Sequence, residues 1–582
     1  MPISSAVSRV KRFLLELRRR KVYRVGVVYA VVGFGVAQGA EYLFGLSELS
    51  DAAAKDASQI VAIVILLGLP VALVLAWAYD LRPEEPAREG ARSSDPDETE
   101  AVSTAPVPGS ARDASIVILP FDNISPDPAD AYLAEGLTEE ITASLSTLHD
   151  LRVTSRTSAT VLKKSGKDTR TIGVELDVRY VLEGSVRKIG DALRITAQLI
   201  RADTDEHLWS ERYDGTLADV FGMQENVARS IVEVLEVHIE PEEARRLTTR
   251  PMEDLQAYEF YLRARASSRI GQWDDLQTAL EYLENARART GENAVILAGI
   301  GYVYSQFANS GAHDRDYIGL AEEHARKSLA IDPDNPEAHM VLGFLYQEGL
   351  QDLELSLHHL ERSLATKPDD PHTLTWWIIA LSLAGRNQEM TTAADRLVEL
   401  DPLDPVSTAM RGYVGQVTGD LQRNVEAMEA WHRTLPAGFA GSCFHAHALA
   451  LIGEFDEARA ILRDEFSGDD EGMIPDLARL LSAALEQDAM GMTAVVAAGA
   501  GTKLKRDLQL AFYVTTLYAL AEAREETLQW LRMVIGQGFR NYPWAAEHDP
   551  WLSRYRGDPE FDELFEQMRR AWIADDPTVA ST

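Results

Sequence analysis

Only one of the 582 residues is a cysteine, Cys443. That excludes a disulfide framework or a thiolate zinc site within one chain. Basic charge is also short: 57 Lys and Arg face 91 Asp and Glu, a formal net charge of −34. A surface so balanced repels a polyanion, and no sizeable nucleic-acid interface is expected. The chain has no G-x-x-x-x-G-K-[ST] loop, no G-x-G-x-x-G after a strand and no G-x-S-x-G elbow. The usual carriers of phosphate binding and of nucleophilic serine chemistry are therefore missing. Cys443, His445 and His447 look like a ligand cluster, but on a helix the spacing of two turns His445 away from the other pair. No catalytic residue, metal or cofactor is expected.

What is present falls into blocks, and the length alone calls for three or four units. Residues 60–78 are nineteen in number and uncharged, long enough to cross a hydrocarbon core of ~30 Å. Residues 25–46 form a second apolar run, interrupted by Gln38 and Glu41. Lys11, Arg12, Arg18, Arg19, Arg20, Lys21 and Arg24 precede residues 25–46, and Arg82, Arg88 and Arg92 follow residues 60–78. The positive-inside rule then predicts a helical hairpin with both ends in the cytoplasm. The expected organisation is a basic N-terminus at 1–24, two transmembrane helices within 25–81 and a Pro/Glu/Ser/Ala-rich disordered linker at 82–113. The localisation that follows is a multi-pass protein of the bacterial inner membrane with its soluble domains cytoplasmic.

From 114 to 240 the pattern is that of a small α/β domain. Residues 115–121 are apolar and β-branched, a buried strand. Leu137, Ile141, Leu145 and Leu148 fall at helical spacing, with Thr138 placed to cap. Residues 151–159 read as a second strand, 171–176 as a short helix and 180–187 as a third strand. Leu193, Ile195, Ala197 and Leu199 alternate with Arg194, Thr196 and Gln198, a strand with one wet face. Residues 207–213 close a meander, and Val220, Phe221, Val227, Ile231 and Leu235 mark a long helix. The order β-α-β-α-β-β-β-α predicts a mixed sheet with helices on one face. Glu183, Arg187, Glu211, Arg212 and His207 could cluster, but cross-strand ion pairs on a solvated face account for them without catalysis.

Four blocks carry a resemblance: SIVILPFDNIS, DAYLAEGLTEEITASLSTL, VRYVLEGSVRKIGDALRITAQLI and DEHLWSERYDGTLADVFGMQENVARSIV. In this order they resemble the TolB amino-terminal-like (FlgO-like) domain of bacteria, which is found fused to repeat arrays, nucleotidyl cyclases and winged-helix regulators. The resemblance implies no catalytic residues. The segments flanking the two apolar runs, RRRKVYRVGVVYAVVGFGVAQ and AWAYDLRPE, are similar to the anchor of the same architecture.

Beyond 251 the sequence repeats. Asp332-Pro333, Lys367-Pro368, Asp401-Pro402 and Leu435-Pro436 recur at intervals of 35, 34 and 34, and Pro336, Pro371 and Pro405 at 35 and 34. That is the tetratricopeptide (TPR) period, in which proline ends one hairpin and opens the next. Gly301 with Tyr304, and Ala321 with Ala325, fit the packing sites of an earlier unit, and further repeats begin near Ala257 and Phe512. Residues 558–572 suit a capping helix. A TPR solenoid over 251–575 should expose a concave groove lined by the first helix of each unit. The groove positions are Tyr302, Gln306, Met340, Phe344, Gln347, Ile379, Tyr413 and Gln416, with Tyr302, Phe344 and Tyr413 an aromatic line for a peptide's apolar side chains. The chain is thus expected to be a non-enzymatic scaffold that holds a protein or peptide partner, or alternatively a regulatory subunit of a signalling enzyme such as a nucleotidyl cyclase.

Overall fold

The computed structural model of the protein describes residues 114–575 apart from 249, 251, 269–272, 310–315, 435–438, 467–469 and 471. No helix among the described residues is long and apolar enough to cross a membrane. This finding corrects the expected multi-pass inner-membrane placement; the runs on which it rested, 25–46 and 60–78, lie outside the described residues, as do the basic N-terminus and the linker.

The α/β domain is built on one sheet in the order β3-β1-β4-β5-β6, with β2 beside β4. Its strands are β1 (Ala114–Ile118), β2 (Asp122–Asn123), β3 (Leu151–Val153), β4 (Tyr180–Ile189), β5 (Ala192–Arg201) and β6 (Glu206–Thr216). The helices are α1 (Ala131–Leu145), α2 (Arg156–Ser165), α3 (Thr169–Glu175), α4 (Val220–Leu235) and α5 (Pro241–Thr248). β1 runs parallel to β3 and β4, and β4–β6 form an antiparallel meander. Alternation sorts the side chains. Ile116, Ile118, Leu182, Val186, Leu193, Ile195 and Leu199 share a core with α1 and α4, while Val117, Leu119 and Val181 pack against Ala159, Leu162 and Ile172 of α2 and α3. Helices therefore cover both faces at the β1 side, not one face as the element order suggested.

Two local assignments also change. The strand expected over 151–159 stops at Val153, because Ser155 caps α2 by accepting from the Thr157 amide at 3.2 Å. Thr138 does not cap α1: it lies mid-helix, fully buried, and its hydroxyl donates to the Ala134 carbonyl and accepts from the Phe121 amide at 3.0 Å.

The remainder is an array of eight helix hairpins among the described residues, joined to the small sheet domain. The pairs are α6 (Leu255–Ser268) with α7 (Trp273–Thr290), α8 (Ala294–Asn309) with α9 (Tyr317–Ile331), α10 (Pro336–Glu348) with α11 (Leu353–Thr366), and α12 (Pro371–Ala384) with α13 (Asn387–Leu400). They continue with α14 (Pro405–Thr418) and α15 (Leu421–Thr434), α16 (Phe439–Leu451) and α17 (Phe455–Glu465), α18 (Met473–Leu485) and α19 (Ala489–Val495), and α20 (Leu508–Leu520) and α21 (Arg524–Gly536), closed by α22 (Pro559–Asp575).

The proline period has a plain cause. Pro336, Pro371 and Pro405 each occupy the first helical position, where a missing N–H costs nothing, and Asn335, Asp370 and Asp404 before them accept from the Ala338, Thr373 and Val406 amides at 3.0, 2.8 and 3.0 Å. The preceding helices end at Ile331, Thr366 and Leu400, one residue short of each Asp-Pro or Lys-Pro pair, because the residue before proline is pushed out of the α region. Within a hairpin the helices approach closely: a Cβ on Gly343 would sit 2.5 Å from Leu360, and the Gly343 carbonyl accepts from Ser356 Oγ at 2.8 Å. α22 buries Phe561, Phe565 and Met568.

Candidate functional site: the inner face of the array

The first helices of successive hairpins, α8, α10, α12 and α14, present the expected groove residues. Met340, Phe344, Gln347, Ile379, Tyr413 and Gln416 are between 2% and 7% exposed, and Tyr302 and Gln306 are half-buried. The contacts that cover them come from the chain itself.

At the C-terminal end the cover is the segment from α20 to α22. The Tyr413 hydroxyl and Ser382 Oγ lie 2.6 Å apart, and the Tyr413 ring stands edge-on to Trp544 at 5.7 Å. Tyr513 donates its hydroxyl to Gln416 Oε1 at 3.1 Å. Asn541 Nδ2 donates to the Ser382 carbonyl at 2.7 Å, the Arg540 amide to Leu383 at 2.9 Å and Trp572 Nε1 to Gly385 at 2.9 Å. His548 Nδ1 reaches the Val417 carbonyl at 2.8 Å. Trp544, Phe512 and Phe539 form a fully buried aromatic knot, with ring centroids 4.2 to 5.9 Å apart. The Tyr413 hydroxyl, the Gln416 amide oxygen and the Ser382, Leu383, Gly385 and Val417 carbonyls thus have partners inside the molecule.

At the N-terminal end the α/β domain packs on the array. α1 lies against α6: Tyr132 donates to Glu259 at 2.8 Å, Tyr261 to Glu140 at 3.2 Å, and a Cβ on Gly136 would meet Leu262 at 2.8 Å. Arg265 of α6 bridges Glu139 of α1 at 2.5 Å and Glu337 of α10 at 2.6 Å. α2 docks by its N-terminus on the loop after α13. Ser158 donates through N and Oγ to Asp401 at 3.1 and 2.5 Å and accepts from the Leu403 amide at 3.0 Å, while the Ser155 amide donates to the Leu400 carbonyl at 2.8 Å. Asp401, the aspartate of a repeat's Asp-Pro, therefore also holds the small domain. Burial raises its pKa, against hydrogen bonds from Ser158 and Ser155 that lower it.

The structure brings Phe344 to within 4.6 Å of Trp376 and Tyr302 to 6.5 Å from His372. The aromatic line expected from Tyr302 through Phe344 to Tyr413 is thus divided between separate contacts. Ser158, Ser382, Asn541 and Trp544 carry no sequence signal of these contacts. In the sequence Asp401 is visible only as a period marker, and the Asn541-Tyr-Pro-Trp544 stretch falls where the 34-residue period has lapsed. Gln347 is the exception to satisfaction: it is 2% exposed and neither amide atom has a partner. Replacing it with methionine, which keeps the volume and removes the orphaned polar group, should stabilise the array by about 1–3 kcal/mol, read as a rise in the urea midpoint; a fall would show that the amide is satisfied.

Several polar residues of the small domain pair with one another on the sheet. Gln198 bonds Glu183, and Asp214 pairs with Arg194 at 2.5 Å and Arg212 at 3.0 Å, on an open sheet face. Among the described residues no group of three or more His, Cys, Asp or Glu could hold a metal. Cys443 is fully buried, which pushes its thiol up to about 12; His445 faces His432 at 3.1 Å, and His447 packs on Tyr513 and Trp551.

Together these elements define a class: a tetratricopeptide-like helical array carrying a small mixed-sheet domain. Among known proteins, residues 112–229 match a family described as HilA/YgeH-like transcriptional regulator, second domain. Putative adenylate cyclase 3 of Rhizobium meliloti (strain 1021) is 43% identical over 164 residues, 28% of this chain and 28% of that protein. The chain thus matches little more than a quarter of that relative's length. Solved structures with similarity include a tetratricopeptide repeat protein from Parabacteroides merdae ATCC 43184 (13% identity, 48% of this chain and 100% of that one, TM-score 0.30) and PilW, a widely conserved type IV pilus biogenesis factor (16%, 35% and 91%, 0.28). TolB from Acinetobacter baumannii is similar over 21% of this chain and 28% of its own, at 18% identity and a TM-score of 0.17.

Proposed function

We propose that the protein is a non-enzymatic interaction scaffold that holds a protein partner on its helical array, with the α/β domain as an assembly or sensory module. The observation that carries this reading is the array itself: stacked hairpins offer a long surface made of many similar helices, a form suited to gripping an extended partner. The polar groups of the small domain are spent on one another rather than converging on a cleft, which supports a non-catalytic role. A TolB amino-terminal-like (FlgO-like) identity for that domain rests on its four ordered sequence blocks. A nucleic-acid role, suggested by the family description at 112–229, runs against the net charge of −34.

Of the groove positions, Tyr302 and Gln306 keep exposed surface, and the partner meets the array there first; Met340, Phe344, Gln347, Ile379, Tyr413 and Gln416 become available only as the inner cover loosens. Tyr302→Ala with Gln306→Ala should abolish capture of the partner from cell extract while the far-UV helix signal stays intact. Undiminished capture, or turnover of a substrate by the purified chain alone, overturns the proposal. A second reading, a regulatory subunit of a nucleotidyl cyclase, is favoured by the 43% identity to a putative adenylate cyclase. It requires that the chain alone form no cyclic nucleotide and that it change the rate of a separately encoded cyclase.

A further inference from the structure

β6 closes one side of the sheet. It pairs inward with β5, and among the described residues no strand pairs with its outer side. An unpaired edge is a template for another strand, and proteins usually blunt one with a bulge, proline or charge. Here the bulge comes early: Leu199 pairs with Trp209 and Ile200 with His207, which leaves Leu208 as the extra residue. From Trp209 to Thr216 the ladder runs unbroken and without proline, and Ser210, Glu211, Arg212 and Asp214 are exposed.

We propose that this edge pairs antiparallel with the same edge of a second copy of the chain, about a two-fold axis centred between the two copies' Tyr213 residues. A two-fold normal to a sheet lies midway between one residue and its own counterpart and sets the neighbours opposite each other in reciprocal pairs. An axis at Glu211, Arg212 or Asp214 places two like charges face to face. An axis at Ser210 or Trp209 reaches back across the Leu208 bulge, and one at Gly215 overlaps only three residues of strand. The axis at Tyr213 sets Arg212 against the second copy's Asp214 twice, Glu211 against Gly215 and Ser210 against Thr216, with no like charges opposed. Arg212 and Asp214 lie on the open face beside Arg194. Across the axis the ion pairs of one sheet continue into the next, while Tyr213 meets its counterpart on the helix-covered face. Charge complementarity thus selects one register, and the selected occupant is the chain itself.

The test is sedimentation of the purified full chain at micromolar concentration and low salt. The wild-type chain should be a dimer. Arg212→Asp alone or Asp214→Arg alone opposes like charges at both pairs and should weaken the dimer about tenfold or more; the double exchange Arg212→Asp with Asp214→Arg restores complementarity and should recover it. Both side chains are exposed, so the monomer fold should be kept and the far-UV helix signal should not change. In addition, Tyr213→Cys should give a covalent dimer on mild oxidation. Arg187→Cys, exposed on β4, should not, and Cys443 is too buried to compete. A monomeric wild-type chain, which is also the outcome if the edge takes a foreign strand, overturns the proposal; so does a dimer indifferent to both single exchanges or unrescued by the double one.

Discussion

Replacing Trp544 with alanine should lower the stability of the C-terminal half of the array by about 3–5 kcal/mol, the usual cost of a large buried ring and the cavity it leaves. Trp544 is fully buried, lies 4.5 Å from Phe512, 5.7 Å from Tyr413 and 5.9 Å from Phe539, and has no partner for its indole N–H. The loss is therefore one of packing rather than of a hydrogen bond. Because the ring joins the segment after α20 to the inner face of α14, amide exchange at 405–418 should accelerate with it, and Tyr413 and Gln416 should become accessible. A loss under about 1 kcal/mol, or unchanged exchange in α14, would show that the segment is held by other contacts.

The second large effect is a pH dependence centred on His447. The imidazole is 3% exposed, stacks edge-on against Tyr513 and Trp551 at 4.8 and 5.4 Å, and burial lowers its pKa from 6.5 to about 3. Below 6.5 the unfolded chain takes up a proton that the folded chain refuses until near pH 3, so the stability this residue contributes falls as pH drops through that window. Between pH 7 and 4 the loss amounts to about 3 kcal/mol. Asp507 and Asp549 act in the opposite sense, since burial raises each to about 6 and the folded state holds their protons longer. The difference between the wild-type chain and His447→Leu isolates the histidine: the variant should gain about 3 kcal/mol relative to wild type on going from pH 7 to pH 4. A constant difference across that range would mean that the imidazole is solvated.

Local pattern carried most of the architecture. The alternation of Leu193, Ile195, Ala197 and Leu199 marks the centre of β5, and prolines 34 or 35 residues apart mark the starts of α10, α12 and α14. Both signals are one-dimensional, because side-chain direction in a strand and capping at a helix start depend on neighbours a few residues away. Thr138 and Ser155 show where such reasoning slips. Thr138 reads as a cap, but its hydroxyl accepts from the Phe121 amide and the helix begins seven residues earlier. A β-branched run continues past Val153, but the Ser155 cap ends it.

By itself, the amino-acid order determined that the chain would stack helix pairs behind a small mixed sheet. Only the tertiary structure decided what the inward faces meet. Tyr513 reaches Gln416 across 97 residues, Asn541 reaches Ser382 across 159, and Ser158 reaches Asp401 across 243. These meetings depend on small rotations between hairpins, summed over the whole array, and no residue's immediate neighbours encode that sum.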